Sequence, residues 1–268
     1  MSIIPPGCLS LLICPQARQQ LTIRPFVLKL KLEINRGFMI QAIFFDFNGV
    51  IINDEPLHLK AYQQTLAGEG IELTEETYMT MLGMDDLTFV RANFERAGKS
   101  LTDEMAKTIM AREWELHRQA LEEELPLAPG VVTFVKAASR HFELGVVSMA
   151  TRAGIEYGLK RARIEEAFTV IVSASDVQAC KPDPCCYERG LERLNEKRRE
   201  ARRLPLLPQE CLVIEDSPPG IRSGLSAGMK TLGVTNTVSE EALRAAQADV
   251  VTHSLADWTV DAVHHVFD

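Results

Sequence analysis

IFFDFNGV, at residues 43–50, begins as an apolar run of strand length and then reaches a polar residue, Asp46. Three more polar motifs follow along the chain: Ser148, residues 181–184 (KPDP) and residues 215–216 (ED). Ser148 and the acidic pair also follow apolar runs of strand length. The carboxyl ends of parallel strands meet at one edge of a sheet, where open α/β sheets bind ligands. The sequence therefore predicts that these polar groups form a single active site.

The order of apolar segments from Met39 onward predicts an α/β fold. A first strand is followed by a long helical stretch and then by alternating strands and helices. This order is typical of a Rossmann-like parallel sheet with helices on both faces. We expect core strands near residues 41–46, 143–148, 168–173, 211–215, 230–235 and 249–252.

The chain between Asp46 and Ser148 is much longer than a simple crossover between parallel strands requires. Residues that typically begin helices occur four times within it. They are Asn53 or Asp54, before a helix that ends at Gly68 and Gly70, and then Thr74, Asp85 and Thr102. Four helices inserted between two core strands predict a cap domain.

The return from the cap to the core is predicted at residues 125–130 (LPLAPG), because two prolines and a glycine interrupt a helix. Residues 1–38 show no clear hydrophobic period, and Met39 stands just before the first strand. We therefore expect residues 1–38 to be a non-core extension, either an over-extended start assignment or a separate arm. The predicted domains are a core at 39–54 and 129–268 and a helical cap at 55–128.

Composition argues against several classes of partner. The formal net charge of −8 disfavours nucleic acid and anionic membranes as partners. The apolar segment 8–14 is far shorter than the roughly 20 residues that a membrane span needs. Cys180, Cys185 and Cys186 lack the paired spacing of zinc sites, which favours free thiols in a reducing cytoplasm. We expect a cytoplasmic monomer or weak dimer in which the basic run at 197–203 is a solvated helix face.

Taken together, the four motifs resemble those of the haloacid dehalogenase superfamily, in the branch of small-molecule phosphatases and beta-phosphoglucomutase. The resemblance runs from about Met39 to the C-terminus and implies a Rossmann-like core with an inserted helical cap. Four motifs in order, each in the expected strand or loop context, are far more specific than a single match. The residues that carry it are Asp46, Ser148, Lys181, Glu215 and Asp216.

The resemblance implies a Mg²⁺-dependent hydrolase that acts on a small phosphorylated metabolite. Asp46 would be the nucleophile that forms an aspartyl-phosphate, a covalent strategy that splits one displacement into two. Mg²⁺ would be bound by the Asp46 carboxylate, the backbone carbonyl of Asn48 and Asp216, with Glu215 close by or acting through water. A site of carboxylate and carbonyl oxygens suits this ion.

The resemblance also implies which residues contact the substrate. Lys181 would supply a positive charge and Ser148 a hydroxyl to the transferring phosphoryl group. The backbone N–H groups of Met149 and Ala150, ahead of a helix that begins near Thr151, would donate hydrogen bonds to its oxygens. His58 resembles a histidine at the entry to the cap in beta-phosphoglucomutase-like proteins, and it is predicted to face the substrate or to act at the hinge.

Asn48 departs from the family pattern. The family usually has an aspartate there, which protonates the leaving oxygen and then deprotonates the attacking water. An amide does neither, and the loss of a general acid/base typically costs about 10²–10⁴-fold in rate. Slow hydrolysis of alkyl phosphates, hydrolysis of substrates such as acyl phosphates that need no acid, and phosphometabolite binding without turnover all remain open. Dehalogenation is also open, because a halide leaving group needs no acid. It is disfavoured because the dehalogenases of this superfamily use no metal, and Glu215 and Asp216 would then be a buried acidic pair without a compensating cation.

Two other activities are less favoured by the residues of the predicted cap. Sugar-phosphate mutases place an arginine in the loop at 83–86, whereas this chain has Asp86, which would repel a second phosphate. Phosphonate cleavage needs a Schiff-base lysine in the cap. Lys60, Lys99 and Lys107 are available, but none lies in a matching motif.

Overall fold

A computed structural model describes residues 39–268, and the prediction for residues 1–38 lies outside this range. The first strand, β1 (Ala42–Phe45), is followed by four helices, a fifth helix and then alternating strands and helices. The four helices are α1 (Glu55–Ala67), α2 (Glu75–Met79), α3 (Asp86–Arg96) and α4 (Asp103–Glu123). The remaining elements are α5 (Val131–Ala138), β2 (Glu143–Val147), α6 (Arg152–Ala162), β3 (Phe168–Val172), α7 (Cys185–Glu200), β4 (Cys211–Glu215), α8 (Pro218–Ser226), β5 (Lys230–Val234), α9 (Glu240–Ala245), β6 (Val250–Thr252) and α10 (Val260–Phe267).

The six strands form one parallel sheet in the order β3-β2-β1-β4-β5-β6. The predicted α/β fold is therefore confirmed, and every predicted strand agrees with the structure to within one residue at each end. β1 lies at the centre, because Ala42 pairs with Glu143 of β2 on one side and with Cys211 of β4 on the other. The residue that follows β1 therefore lies between the carboxyl ends of two neighbouring strands.

Both faces of the sheet are buried, which explains why its strands are apolar at nearly every position. In β1, Ile43 and Phe45 join one hydrophobic cluster, while Ala42 and Phe44 join another. Alternate residues of a strand point to opposite faces, so the two clusters lie on the two sides of the sheet. A parallel sheet covered on both faces is typical of α/β proteins.

Helices α1–α4 fall within the predicted cap segment and have a hydrophobic cluster of their own, which includes Tyr62, Leu66 and Phe89. The predicted N-caps of α2, α3 and α4 are confirmed. The side chains of Thr74, Asp85 and Thr102 each accept a hydrogen bond from the backbone N–H three residues on. We propose that these four helices form the cap.

The start of α1 differs from the prediction. Asp54 occupies the N-cap position, but its side chain makes no capping hydrogen bond. The carboxylate is fully buried and accepts hydrogen bonds from the side-chain amide of Asn48 instead. Asn53, the alternative cap, is exposed. The side chain that was predicted to begin a helix therefore belongs to the candidate site.

The basic run after the middle of α7 is not entirely a solvated face. The Arg198 side chain is buried, donates to the carbonyl of Leu204 at 2.6 Å and pairs with Glu143 at the start of β2. Arg203 pairs with the same carboxylate at 2.6 Å. Two residues of this run therefore tie the loop after α7 to the edge of the core, so the prediction of a solvated face is wrong for Arg198.

Cysteine thiols in the described range are unpaired, as predicted, at positions 180, 185, 186 and 211. Burial raises the pKa of Cys186 to about 11 and that of Cys211 to about 12, which keeps both as thiols. None of the helices within residues 39–268 is long and apolar enough to cross a membrane.

Candidate active site

The polar motifs predicted from the sequence meet at the carboxyl edge of the sheet. Asp46 follows β1, Ser148 follows β2, and Glu215 ends β4 with Asp216 directly after it. Lys181 reaches them from the loop before α7. All five residues are buried, with Asp46 the most exposed at 9%. The structure therefore brings together every residue that was predicted to carry the chemistry of the core.

Asp46 is held by one residue on each side of its carboxylate. One oxygen accepts the backbone N–H of Phe47 at 2.7 Å, and the other lies 3.0 Å from Nζ of Lys181. Burial raises the pKa of Asp46 to about 7, although the Lys181 charge opposes the shift. The nearby carboxylate of Glu215 raises it further. An additional cation at this carboxylate is therefore needed to keep it ionised well below neutral pH.

Lys181 is shared between Asp46 and Glu215. Its Nζ lies 2.6 Å from a Glu215 oxygen and donates to the carbonyl of Val147 at 3.2 Å. Burial alone would lower the pKa of Lys181, but the two carboxylates outweigh burial and raise it. The ammonium is thus fixed in position and charged throughout the physiological pH range.

Glu215 is occupied by several donors besides Lys181. The Tyr187 hydroxyl donates to the same oxygen at 2.7 Å, and the Ser217 hydroxyl donates to the other at 3.0 Å. A Cβ on Gly220 would lie 1.9 Å from the Glu215 carboxyl carbon, so only glycine fits there. With its oxygens already taken, Glu215 is better placed to act on a cation through water than to ligate it directly.

Asp216 lies against the turn that follows Asp46. Gly49 in this turn has a φ of 75°, and a Cβ on it would lie 1.8 Å from an Asp216 oxygen. Glycine is therefore required both for the left-handed backbone and for the close approach. Burial raises the pKa of Asp216 well above its usual value, and the carboxylates of Glu215 and Asp46 raise it further.

The acidic group fits a divalent cation. Asp46, Glu215 and Asp216 each place an oxygen within 4.8 Å of the others. Three buried carboxylates face one lysine, so the group carries more negative charge than the protein neutralises. An all-oxygen donor set of this kind suits Mg²⁺. Asp46, Asp216 and the backbone carbonyl of Asn48 would hold the ion.

Asn48 is the centre of a second polar cluster. Its side-chain N–H groups donate to the two oxygens of Asp54, at 3.0 and 2.9 Å. The same nitrogen lies 3.1 Å from Nε2 of His58. On the other side, the Ser148 hydroxyl lies 3.5 Å from the side-chain amide oxygen of Asn48, Oδ1. The amide is therefore locked between a carboxylate and a histidine, and these contacts fix which end is the NH₂ group.

The cluster continues into α4 of the predicted cap. Nδ1 of His58 lies 2.8 Å from Glu113, and Nε2 of His117 lies 3.0 Å from Asp54. Burial alone would lower the pKa of His58, but Glu113 and Asp54 outweigh it and raise the pKa well above its usual value. Burial alone would raise the pKa of Asp54, but the hydrogen bonds of His117 and His58 bring it below its usual range. The two histidines thus keep Asp54 ionised.

This second cluster does not suit a metal ion, although Asp54, His58 and His117 place ligand-type atoms within 4.8 Å of one another. The two imidazole rings stack face to face, with their centroids 3.7 Å apart and an angle of 22° between planes. Imidazole lone pairs lie in the ring plane, so nearly parallel rings cannot both direct one at the same ion. The cluster is better described as a hydrogen-bonded network.

Strand β2 ends at the predicted phosphate-binding loop. The Ala150 N–H donates to the Ser148 hydroxyl at 3.2 Å, so this predicted substrate donor is already engaged. Thr151 caps α6 by accepting from the N–H of Gly154. Met149, Ala150 and Thr151 all line the cavity beside Asp46. Their place at the start of α6 gives the loop the partial positive charge of a helix N-terminus.

A cavity lies between this edge of the sheet and helices α1–α4. The core supplies its polar floor, which includes Asp46, Asn48, Ser148 and Lys181. The four helices and the loop between α2 and α3 supply aromatic, histidine, methionine and acidic side chains. These are Glu55, His58, Tyr62, Tyr78, Met81, Met84, Asp86, Phe89, Met110, Glu113, Trp114 and His117.

Comparison with known proteins agrees with this geometry. The family model of the haloacid dehalogenase-like hydrolases matches residues 43–234, which is most of the chain. The chain belongs to this family. The match spans β1, the four inserted helices and the strands that carry Ser148 and Glu215.

Relatives of this haloacid dehalogenase-like hydrolase include a phosphorylated carbohydrates phosphatase from Thermotoga maritima, 27% identical over 75% of this chain and 88% of that protein. CbbY from Rhodobacter sphaeroides, solved in complex with phosphate, is 27% identical with a TM-score of 0.70 and covers 85% of this chain and 100% of that one. A beta-phosphoglucomutase from Clostridium difficile shares the fold with a TM-score of 0.75 at 22% identity, over 85% of this chain and 97% of that one.

Several site residues of this hydrolase escaped the sequence analysis. Asp54 was assigned only to a helix cap, and Glu113, His117 and Tyr187 were not singled out. Glu113 and His117 are four residues apart on α4 and therefore share one helix face, and both are buried. Two polar residues at that spacing within a buried face were the available signal. Tyr187 had none, since a tyrosine near a helix start is usually part of the core.

We expect Mg²⁺ to bind this hydrolase more tightly as the pH rises through 7. In the metal-free site the pKa of Asp46 is raised to about 7, and the pKa of Asp216 is raised well above its usual value. A carboxylate must lose its proton before it ligates a cation, so each proton released adds up to about tenfold in affinity per pH unit. Calorimetry across this range in two buffers of different ionisation enthalpy measures both affinity and proton release. An affinity that is independent of pH would contradict the metal assignment.

Proposed function

We propose that this protein is a Mg²⁺-dependent phosphatase that hydrolyses a small phosphorylated metabolite through an aspartyl-phosphate on Asp46. The observation that carries the proposal is the position of Asp46 at the end of the central strand, 3.0 Å from Lys181 and beside Asp216. Two relatives support it, since one is named a phosphatase and the other was solved with phosphate.

The protein's own residues bind and orient the phosphoryl group in this proposal. Asp46 attacks phosphorus in line with the leaving oxygen, and the new acyl phosphate is later cleaved by water. Lys181 is fixed by Glu215 and offers its charge to the phosphoryl oxygens. The Ser148 hydroxyl and the backbone N–H of Met149 offer further donors. Bound Mg²⁺ would neutralise charge on the phosphoryl oxygens and keep Asp46 ionised.

Asn48 slows the hydrolysis of alkyl phosphate esters at this site. Its amide has no titratable proton near neutral pH, and its NH₂ group is held by Asp54. Neither the leaving alkoxide nor the attacking water receives help from this position. We therefore propose slow turnover of simple alkyl phosphates and faster turnover of leaving groups that need no acid, such as acyl phosphates.

The contact between Asn48 and Asp54 also supports a second function. The hydrogen bonds from Asn48 to both oxygens of Asp54 make residue 48 part of a closed network. A protein that binds a phosphometabolite without turning it over would have no need of a free acid there. This binding function is the alternative proposal, and a turnover assay separates the two.

Other activities of the family are less well supported by the cavity. Asp86 lines it where a mutase would need a cation for a second phosphate. Lys60, Lys99 and Lys107 are exposed and do not line it, which disfavours a Schiff base for phosphonate cleavage. Dehalogenation without a metal would leave Asp216 buried beside Asp46 and Glu215 with no cation to offset its charge.

We expect Asp216→Ala to abolish Mg²⁺-dependent phosphate release. The change removes a direct metal ligand while leaving Asp46 and Lys181 in place, so Mg²⁺ affinity should fall by at least about 10-fold. Calorimetric titration with Mg²⁺ and an assay on acyl phosphate provide the two readouts. Asp257→Ala, an exposed aspartate distant in sequence from the motifs, is the control and should behave as wild type. Full turnover by Asp216→Ala would contradict the site assignment.

A further inference from the structure

We propose that Thr237 is a positioning residue of the Mg²⁺ site, whose hydroxyl helps to hold Asp216 and a water of the loaded site in place. This inference rests on the proposed function, because that function requires the Mg²⁺, and it adds a residue from outside the four sequence motifs. Thr237 lies in the loop that follows β5. Because β5 pairs in parallel with β4, with Gly233 opposite Glu215, this loop leaves the sheet at the edge that carries the acidic group.

The loop after β5 contacts the turn that follows Asp46. The side-chain N–H of Asn236 donates to the backbone carbonyl of Gly49 at 2.7 Å, although the two residues are 187 positions apart in the chain. Asn48, whose backbone carbonyl is proposed to ligate Mg²⁺, directly precedes Gly49. The hydrogen bond from Asn236 therefore fixes the loop after β5 against a turn that carries one of the proposed ligands.

The hydroxyl of Thr237 and the carboxylate of Asp216 approach the same side of Gly49. A Cβ on Gly49 would lie 2.7 Å from Oγ1 of Thr237 and 1.8 Å from an oxygen of Asp216. Both oxygens thus face the space that a side chain at position 49 would fill. The hydroxyl is therefore a neighbour of the carboxylate that we expect to ligate the ion directly.

The Thr237 hydroxyl is buried without a hydrogen bond. Its Oγ1 has no hydrogen-bond partner within residues 39–268. A buried polar atom without a partner is costly, and most such atoms in folded proteins are paired with protein groups or ordered water. Mg²⁺ usually keeps several of its waters when a protein binds it. A water of the loaded site is the partner that suits an unpaired hydroxyl beside a metal ligand.

The position of the hydroxyl also favours the charged form of Asp216. Burial raises the pKa of Asp216, and the carboxylates of Glu215 and Asp46 raise it further, whereas the nearby Thr237 hydroxyl opposes the rise. A carboxylate ligates a cation only after it has lost its proton. Thr237 therefore acts in the direction that metal binding requires. Groups that hold the ligands of a metal site typically change metal affinity by about 10–100-fold.

Thr237→Val tests the proposal, because valine keeps the branched shape of the side chain and removes the hydroxyl. Calorimetric titration with Mg²⁺ should show an affinity about 10-fold weaker than that of wild type. Thr237→Ser restores a hydroxyl and should recover most of the lost affinity. Thr169→Val, which changes an exposed threonine of the edge strand β3, is the matched control and should bind Mg²⁺ as wild type does.

Thermal unfolding without Mg²⁺ separates a role at the metal site from a structural role. Because the Thr237 hydroxyl makes no hydrogen bond within the described residues, its removal should lower the Tm by less than about 2 °C. A larger fall in the Tm of Thr237→Val without Mg²⁺ would show a structural role and overturn the inference, whatever the Mg²⁺ affinity.

The outcomes also separate the inference from the proposed function. A wild type that binds Mg²⁺ and releases phosphate, together with Thr237→Val that binds Mg²⁺ equally tightly, would overturn the inference alone. Weaker Mg²⁺ binding by Thr237→Val, together with a wild type that releases no phosphate from alkyl or acyl phosphates, would support the inference and overturn the hydrolase function. A wild type that binds no Mg²⁺ would overturn both.

Discussion

Asp46→Asn is expected to reduce phosphate release by at least about 10³-fold on every substrate, because an amide cannot attack phosphorus to form the covalent intermediate. The change keeps the size of the side chain, and an amide oxygen can still accept the backbone N–H of Phe47. Since burial raises the pKa of Asp46 to about 7, the carboxylate is costly to ionise in the metal-free fold. The variant should therefore fold at least as stably as wild type.

Thermal unfolding in the absence of Mg²⁺ provides the control for this variant. A Tm at or above that of wild type, with turnover lost, assigns the loss to chemistry. Asp257→Asn is the matched change of an exposed aspartate and should affect neither quantity. Retention of wild-type turnover by Asp46→Asn would show that another group is the nucleophile.

Exchanging the residues at positions 48 and 54 is expected to raise the rate on alkyl phosphates by about 10–10³-fold. The double variant Asn48→Asp with Asp54→Asn places a carboxyl group where the family usually has one. It also reverses the donor and acceptor of a contact that is now 2.9–3.0 Å long and keeps the total charge unchanged. The rate on acyl phosphates should change far less, because a carboxylate leaves without a proton.

The single variants are the controls for the exchange. Asn48→Asp alone puts two carboxyl groups about 3 Å apart, where both cannot ionise together, so its proton is held by the pair and its gain should be smaller. Asp54→Asn alone adds no acid and should give no gain. Initial rates on one alkyl phosphate and one acyl phosphate distinguish these cases. A wild type that is already as fast as the double variant would show that another residue supplies the proton.

Much of this site was predictable because its residues follow strands. Asp46, Ser148 and Glu215 each end a buried strand or directly follow one, and the topology of a parallel sheet brings such residues together. Local patterns also predicted the caps of three inserted helices, since the capping hydrogen bonds of Thr74, Asp85 and Thr102 each form within a single turn. Predictions of this kind need no knowledge of tertiary contacts.

The residues that escaped prediction depend on contacts distant in sequence. Asp54 has the position and the chemistry of a helix cap, and only the arrival of His117 from α4 and Asn48 from the turn after β1 gives its carboxylate another use. Arg198 looked solvated until its pairing with Glu143, 55 residues earlier in the chain, was visible. The acidic residues that line the cavity, Glu55, Asp86 and Glu113, likewise come from three helices, and no local pattern specifies how these helices are placed relative to one another.

Mass spectrometry of the Asp46 peptide after rapid acid quench tests the central claim most directly. Wild-type protein mixed with Mg²⁺ and an acyl phosphate should give the peptide containing Asp46 with the added mass of one phosphoryl group. Asp46→Asn treated in the same way should give none. A wild type that releases phosphate while this peptide never carries the added mass, or that carries it on a different peptide, would contradict the aspartyl-phosphate account.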